Sequence, residues 1–206
     1  MLPSMATTDR QLRVRQTRQE SRARIVAAAS ELVRRHSYAS LSVEVVMAEA
    51  GLGRTIFYRH FDDLADLLVR AGREAIDELY RAQRALGQAR PDEDPEAVRR
   101  AMLTAASVYR EHGPLLRAVA EAASGDPQIA ADYEAMRRRF DDFAEQSLRG
   151  VAHLATAPLT DLAETARALN LMNEAYLLDV FGREPRVSVE EAVQTLVEIW
   201  DAVIRR

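Results

Sequence analysis

Residues 51–61 read GLGRTIFYRHF, with two glycines, two arginines, a histidine and three aromatics but no acid. On a helix, Phe57 and Phe61 fall four apart and turn to the core, while Arg54 and Tyr58 share another face beside Thr55 and Arg59. That outward face offers guanidiniums for guanine edges and hydroxyls for phosphates, with no carboxylate to repel DNA. Gly51 suits the left-handed residue that closes a preceding helix. Gly53 opens the next helix with its amides free for a phosphate oxygen. Two short helices about such a turn make a helix-turn-helix.

A second set lies in RALNLMNEAYLLDVFG (167–182). Leu162, Ala166, Leu169, Asn173, Leu177 and Val180 follow a helical stripe, and Asn170 sits one turn before Asn173. Burying an amide without a partner costs ~1–3 kcal/mol, so both should be paired. The partner is the chain's own backbone, a dimer mate or a ligand. In the last segment Val189, Val193, Leu196, Trp200 and Val203 form one stripe, widened by Ala192, Ile199 and Ile204. A stripe this broad packs on the body and on a partner together.

The elements that position these residues are all helical. Thr17-Arg18-Gln19-Glu20 reads as a capping box opening a helix to about His36, with Ile25, Ala28, Ala29, Leu32 and Val33 as its apolar stripe. Ser42 caps a short helix ending at Gly51, and Asp62 or Asp63 starts one running to about Leu86. PDEDP (91–95) is a linker in which Asp94 and Pro95 open the next helix. Gly125-Asp126-Pro127 repeats that device, for a helix through roughly Leu148. Residues 150–159 are a loop with Pro158, Thr160 or Asp161 restarts helix, Gly182 to Pro185 breaks it, and Ser188-Val189-Glu190-Glu191 is a second capping box. No alternation of strand length appears, so the chain is predicted all-α with about nine helices.

Composition narrows the function classes. There is no cysteine, which removes disulfides, thiol nucleophiles and zinc–thiolate sites. All 28 basic residues are arginine. Residues 1–60 carry ten arginines against five acids, and residues 61–206 carry 18 against 27, so a basic head sits on an acidic body. His36, His60, His112 and His153 lack metal-ligand spacing, and no nucleophile elbow, Walker loop or dinucleotide fingerprint occurs. No catalytic residue, metal or cofactor is expected. Apolar runs are shorter than a bilayer span, and residues 1–20 lack a signal-peptide core, so a cytoplasmic chain is expected.

The segment SRARIVAAASELVRRHSYASLSVEVVMAEAGLGRTIFYRHF (21–61) resembles the DNA-binding head of the TetR family. That resemblance implies that Arg54, Thr55 and Arg59 face base edges while Ser42, Tyr58 and His60 hold phosphates, with Gly53 at the start of the reading helix. The arm arginines Arg10, Arg13, Arg15 and Arg18 would reach flanking backbone or the minor groove. Three departures stand out. The family usually has Ser at Gly53, often Thr at Ile56, and a Lys at the start of the fourth helix, where this chain reads Asp62-Asp63-Leu64.

ALNLMNE and TLVEIWDAVI (195–204) are similar to the carboxy-terminal helices of the ethionamide-resistance repressors, a TetR branch with a long apolar tunnel. The resemblance implies that Asn170, Asn173 and Trp200 line such a tunnel. Met102, Tyr109, Phe140, Phe143 and Leu177 are the candidate wall beside them. Few acids interrupt these stripes, so an uncharged, lipid-like or aromatic effector is expected. It further implies a homodimer through helices 160–182 and 188–205 that offers two reading helices to a palindromic operator. The expected domains are 1–61 for DNA and 62–206 for effector and dimer. The alternative is the same fold keeping a ligand or partner site but without operator recognition.

Overall fold

In the computed structural model five of the helices open on side chains that satisfy their first amides. The structure describes residues 5–88, 96–151 and 160–204. These hold eight α-helices and one 3-10 turn at Tyr38–Ser40, with no strand among the described residues. The helices are α1 (Met5–Arg35), α2 (Val43–Ala50), α3 (Arg54–Phe57), α4 (Leu64–Gln88), α5 (Ala97–Ala123), α6 (Pro127–Val151), α7 (Leu162–Phe181) and α8 (Val189–Ile204).

Ser42 Oγ accepts the Val45 amide at 3.3 Å and caps α2. Asp63 accepts the Asp66 amide at 2.8 Å while Asp66 accepts the Asp62 amide at 3.1 Å, a reciprocal box that opens α4. The acids at the start of α4, where the family resemblance leads one to expect lysine, thus serve as caps. Asp126 opens α6, taking the Gln128 amide at 2.8 Å, and Asp161 opens α7, taking the Glu164 amide at 3.0 Å. Ser188 and Glu191 exchange both bonds at the start of α8, at 2.8 and 3.1 Å.

Thr17 is not a cap. The first helix begins at Met5, twelve residues upstream of that position, and Thr17 lies in its interior. Residues 5–16 contain neither Gly nor Pro and are rich in good helix formers, so nothing stops the helix before it reaches them. The PDEDP linker, the Asp94-Pro95 cap and Pro158 lie outside the described residues.

Contacts divide the chain into two units, Met1–Ala71 and Gly72–Arg206. In the first, Ile25, Ala28, Ala29 and Leu32 of α1 pack on Val46, Met47 and Ala50 of α2 and on Phe57, Phe61 and Leu67. Leu67 lies in the first turn of α4, which therefore packs on the head core. In the second, α6 packs along α7, while α5 meets α6, α7 and α8. Its main core joins Met102 and Ala106 to Leu148, Leu169, Leu177, Phe181, Leu196 and Trp200. The α5–α7 contact depends on Gly113, since a Cβ there would lie 2.2 Å from the Phe181 carbonyl oxygen.

Candidate DNA-reading face and effector cavity

In the first unit, Gly51 ends α2 at φ 62°, the left-handed region where a side chain would be strained. The Leu52 amide then reaches back to the Met47 carbonyl at 3.0 Å, and the chain turns into α3. Arg24 of α1 fixes the end of α2 by donating to the Ala50 carbonyl at 2.7 Å, a cation at a helix C-terminus. Phe57 and Phe61 are buried with ring centroids 5.6 Å apart and anchor the segment. The α-helix itself is only four residues long; Tyr58 to His60 continue as a turn.

Arg54, Thr55, Tyr58 and Arg59 are exposed, Tyr58 to 51%. The Arg54 guanidinium donates to the Tyr58 hydroxyl at 3.0 Å and lies 5.6 Å from the ring centroid. Gly53 has an ordinary φ of −75°, and a Cβ built there meets nothing within 4 Å. Neither backbone nor space demands glycine at that position.

One expectation is corrected. GLGRTIFYRHF contains no acid, yet the fold brings one to its outward face, because Glu44 in the first turn of α2 forms an ion pair with Arg54. The Glu44 carboxyl is held below the usual range by its own backbone amide first and by Arg54 after that. Both side chains are more than half exposed, and such a pair contributes little to stability. The guanidinium is oriented by Tyr58 and Glu44 rather than locked.

His60 sits among Arg18, Arg22 and Arg70 on the same unit, with its Nε2 2.9 Å from Ser21 Oγ. Burial, followed by the charges of Arg18, Arg22 and Arg59, lowers its pKa. Arg18 donates to the Arg59 carbonyl at 3.1 Å. The side chains of Arg10, Arg13 and Arg15 lie outside the described residues, although their backbone belongs to α1.

The second unit holds a cavity of about 80 Å³ between α4, α5, α6 and α7. Met102, Tyr109, Phe140, Asn170, Asn173 and Leu177 line it. Phe143 and Trp200 do not. Phe143 sets its ring against Tyr80, 6.5 Å between centroids, and Trp200 is 1% exposed within the main core. Within that core the Trp200 indole Nε1 donates to Asn173 Oδ1 at 3.3 Å. An indole nitrogen only donates, so this bond also fixes the Asn173 amide, with its NH₂ away from Trp200. Asn173, 9% exposed, thus joins the cavity wall to the core.

Five further polar residues line the wall: Gln83, Tyr133, Arg137, Asp141 and Glu174. Glu174 accepts from the Tyr133 hydroxyl and from Arg137 Nε at 3.0 Å. Burial and then the Glu174 charge push the Tyr109 and Tyr133 phenols above their ordinary range, so both stay neutral. Asp141 Oδ1 accepts from Asn170 Nδ2 at 3.0 Å. Read along the chain, these charges look like a solvated helix face; only Glu174, one turn after Asn170, carried a hint of the wall.

Comparison with known proteins gives matches over both parts of the chain. Residues 25–71 match the family model described as "Bacterial regulatory proteins, tetR family", and residues 98–205 match "Transcriptional regulator EthR, C-terminal domain". The chain is 26% identical over 187 residues to the HTH-type transcriptional regulator EthR of Mycolicibacterium smegmatis, spanning 86% of this chain and 83% of that one. It is 28% identical over 182 residues to EthR of Mycobacterium tuberculosis, spanning 85% and 83%. A TetR-like transcriptional regulator from Rhodococcus sp. RHA1 shares the fold with a TM-score of 0.71 at 16% identity, covering 90% of this chain and 97% of that one. With the EthR carboxy-terminal model spanning more than half of its length and the tetR model over its head, the chain belongs to the EthR-type transcriptional regulators of the TetR family.

Proposed function

We propose that the chain is a ligand-responsive transcriptional repressor that binds a palindromic operator as a homodimer in the bacterial cytoplasm. The observation that carries this reading is the exposed set Arg54, Thr55, Tyr58 and Arg59, held on a segment anchored by two buried phenylalanines. Arg54, Thr55 and Arg59 read base edges. Ser42, Tyr58 and His60 hold phosphates beside Gly53, and the basic arm adds sequence-independent attraction.

Dimerisation through α7 and α8 is supported by Leu171 and Ile199, which leave 37% and 36% of their surfaces exposed. A two-fold dimer presents its reading helices ~34–36 Å apart, or a multiple of that, to matching half-sites. A predominantly apolar effector in the cavity controls DNA affinity by preferring one spacing of the two heads. The Asn173 NH₂ is the donor offered to an effector carbonyl, because Asn170 already gives one of its two N–H groups to Asp141.

The test is a gel shift on the DNA upstream of the chain's own gene, with the parent and Arg54→Ala. The expected result is a salt-sensitive shift by the parent and binding weakened by ~1–3 kcal/mol in the variant, with relaxed specificity at one base pair. Equal binding by both removes Arg54 from the reading face. No shift by the parent, with intact dimer and ligand binding, favours a regulator fold that has lost its operator.

A further inference from the structure

We propose that the effector carries a protonated amine on its apolar body, with the ammonium seated between Asp141 and Asn170 in the cavity wall. The inference rests on the effector reading above and adds the charge of the ligand. Its basis is an imbalance in the wall. Glu174 is matched by Arg137 at 3.0 Å and by the Tyr133 hydroxyl, so that cluster is neutral. Asp141 has no cation: among the described residues its carboxylate is met only by the Asn170 amide, at 3.0 Å. The wall charges Arg137, Asp141 and Glu174 therefore leave one negative charge uncompensated in a half-buried position.

A carboxylate only accepts, so the Asn170 group facing Asp141 is its NH₂, and Asn170 Oδ1 is left as a further acceptor. Asp141 Oδ2 is a second. Two adjacent acceptors beside an unbalanced charge fit an ammonium, which has three N–H donors and a positive charge. An alcohol supplies one donor and no charge. A carboxylate ligand meets Asp141 and Glu174, while the guanidinium that would receive it is already committed to Glu174. The remainder of the wall, including Leu79, Met102, Val119 and Leu177, takes an apolar body. At about 80 Å³ the cavity is far below the several hundred Å³ of a typical ligand pocket, so the occupant is small or displaces side chains as it enters.

The experiment compares n-octylamine, n-octanol and octanoate at pH 7.4 on the full chain. Trp200 is the chain's single tryptophan and is bonded to cavity-lining Asn173, so its fluorescence reports occupancy; calorimetry gives the affinities. Octylamine should bind about tenfold more tightly than octanol, as a charge-assisted bond is roughly twice as strong as a neutral one. Octanoate should bind most weakly. Asp141→Asn, isosteric and still able to accept from Asn170, should bring octylamine down to the level of octanol and leave octanol unchanged. Equal binding of octylamine and octanol by the parent chain overturns the ammonium seat while the effector cavity stands, whatever the variant does. Unchanged octylamine binding in Asp141→Asn overturns it equally. If none of the three probes binds, the effector cavity itself fails and the ammonium seat with it.

Discussion

The head turns its chemistry outward to solvent, whereas the body turns its own inward to a cavity. In the head the functional side chains point outward from a short buried anchor: Phe57 and Phe61 hold the segment, and Arg54, Thr55, Tyr58 and Arg59 face solvent. In the body the polar groups face inward, and at least one of them, Asn173, is simultaneously the hydrogen-bond partner of the core tryptophan. Substituting a head residue should therefore alter binding without unfolding. Substituting a body residue risks altering both at once, so variants there need a stability measurement beside every binding one.

The largest contrast should come from two neighbours on α8. Leu196 is fully buried, so Leu196→Glu leaves an unpaired charge in the core and should cost roughly 4 kcal/mol or more, seen as loss of the cooperative thermal transition. Ile199 is partly exposed, and Ile199→Glu should keep the helical melt but sediment as a monomer. A dimer that survives Ile199→Glu moves the interface elsewhere. Asn173→Leu strips the Trp200 indole of its acceptor at similar volume and should cost ~1–3 kcal/mol by chemical denaturation, with a shifted Trp200 emission. An unchanged midpoint would mean that the core does not depend on this amide, and the head–body contrast would narrow.

On the head, Glu44→Gln removes the acid beside Arg54 and should strengthen operator binding severalfold, while the melting temperature stays put because the pair is exposed. Gly53→Ser fills open space at an N-cap with suitable backbone angles and should stabilise the head by only a few tenths of a kcal/mol. The weakest effect should be the pH dependence of His60. Its folded-state pKa is lowered by burial and by Arg18, Arg22 and Arg59, so the unfolded chain binds the proton more readily. That contribution is fully present above about pH 6.5 and is lost as pH falls below it, and His60→Asn should flatten the corresponding slope in melts taken between pH 7.5 and 5.5.

What the sequence determined by itself was local. Helix starts at Ser42, Asp126, Asp161 and Ser188 depend on side chains within three residues of the amides they cap, and Gly51 on its own φ, so each was legible in a short window. The apolar periodicity of α1 likewise named its buried face, from Ile25 to Val33. The start of α1 was misread because a capping pattern at Thr17 has no force where the preceding residues are themselves good helix formers. Tertiary structure alone decided everything that joins distant segments. Glu44 reaches Arg54 only because the turn at Gly51 folds α3 back onto α2. Trp200 is paired in the core because Asn173, on another helix, accepts a hydrogen bond from its indole N–H. Asp141 and Glu174 become wall residues because α6 packs along α7. A charge on a helix shows its period in the sequence, but whether that face meets water, a neighbour or a cavity is set by residues tens of positions away.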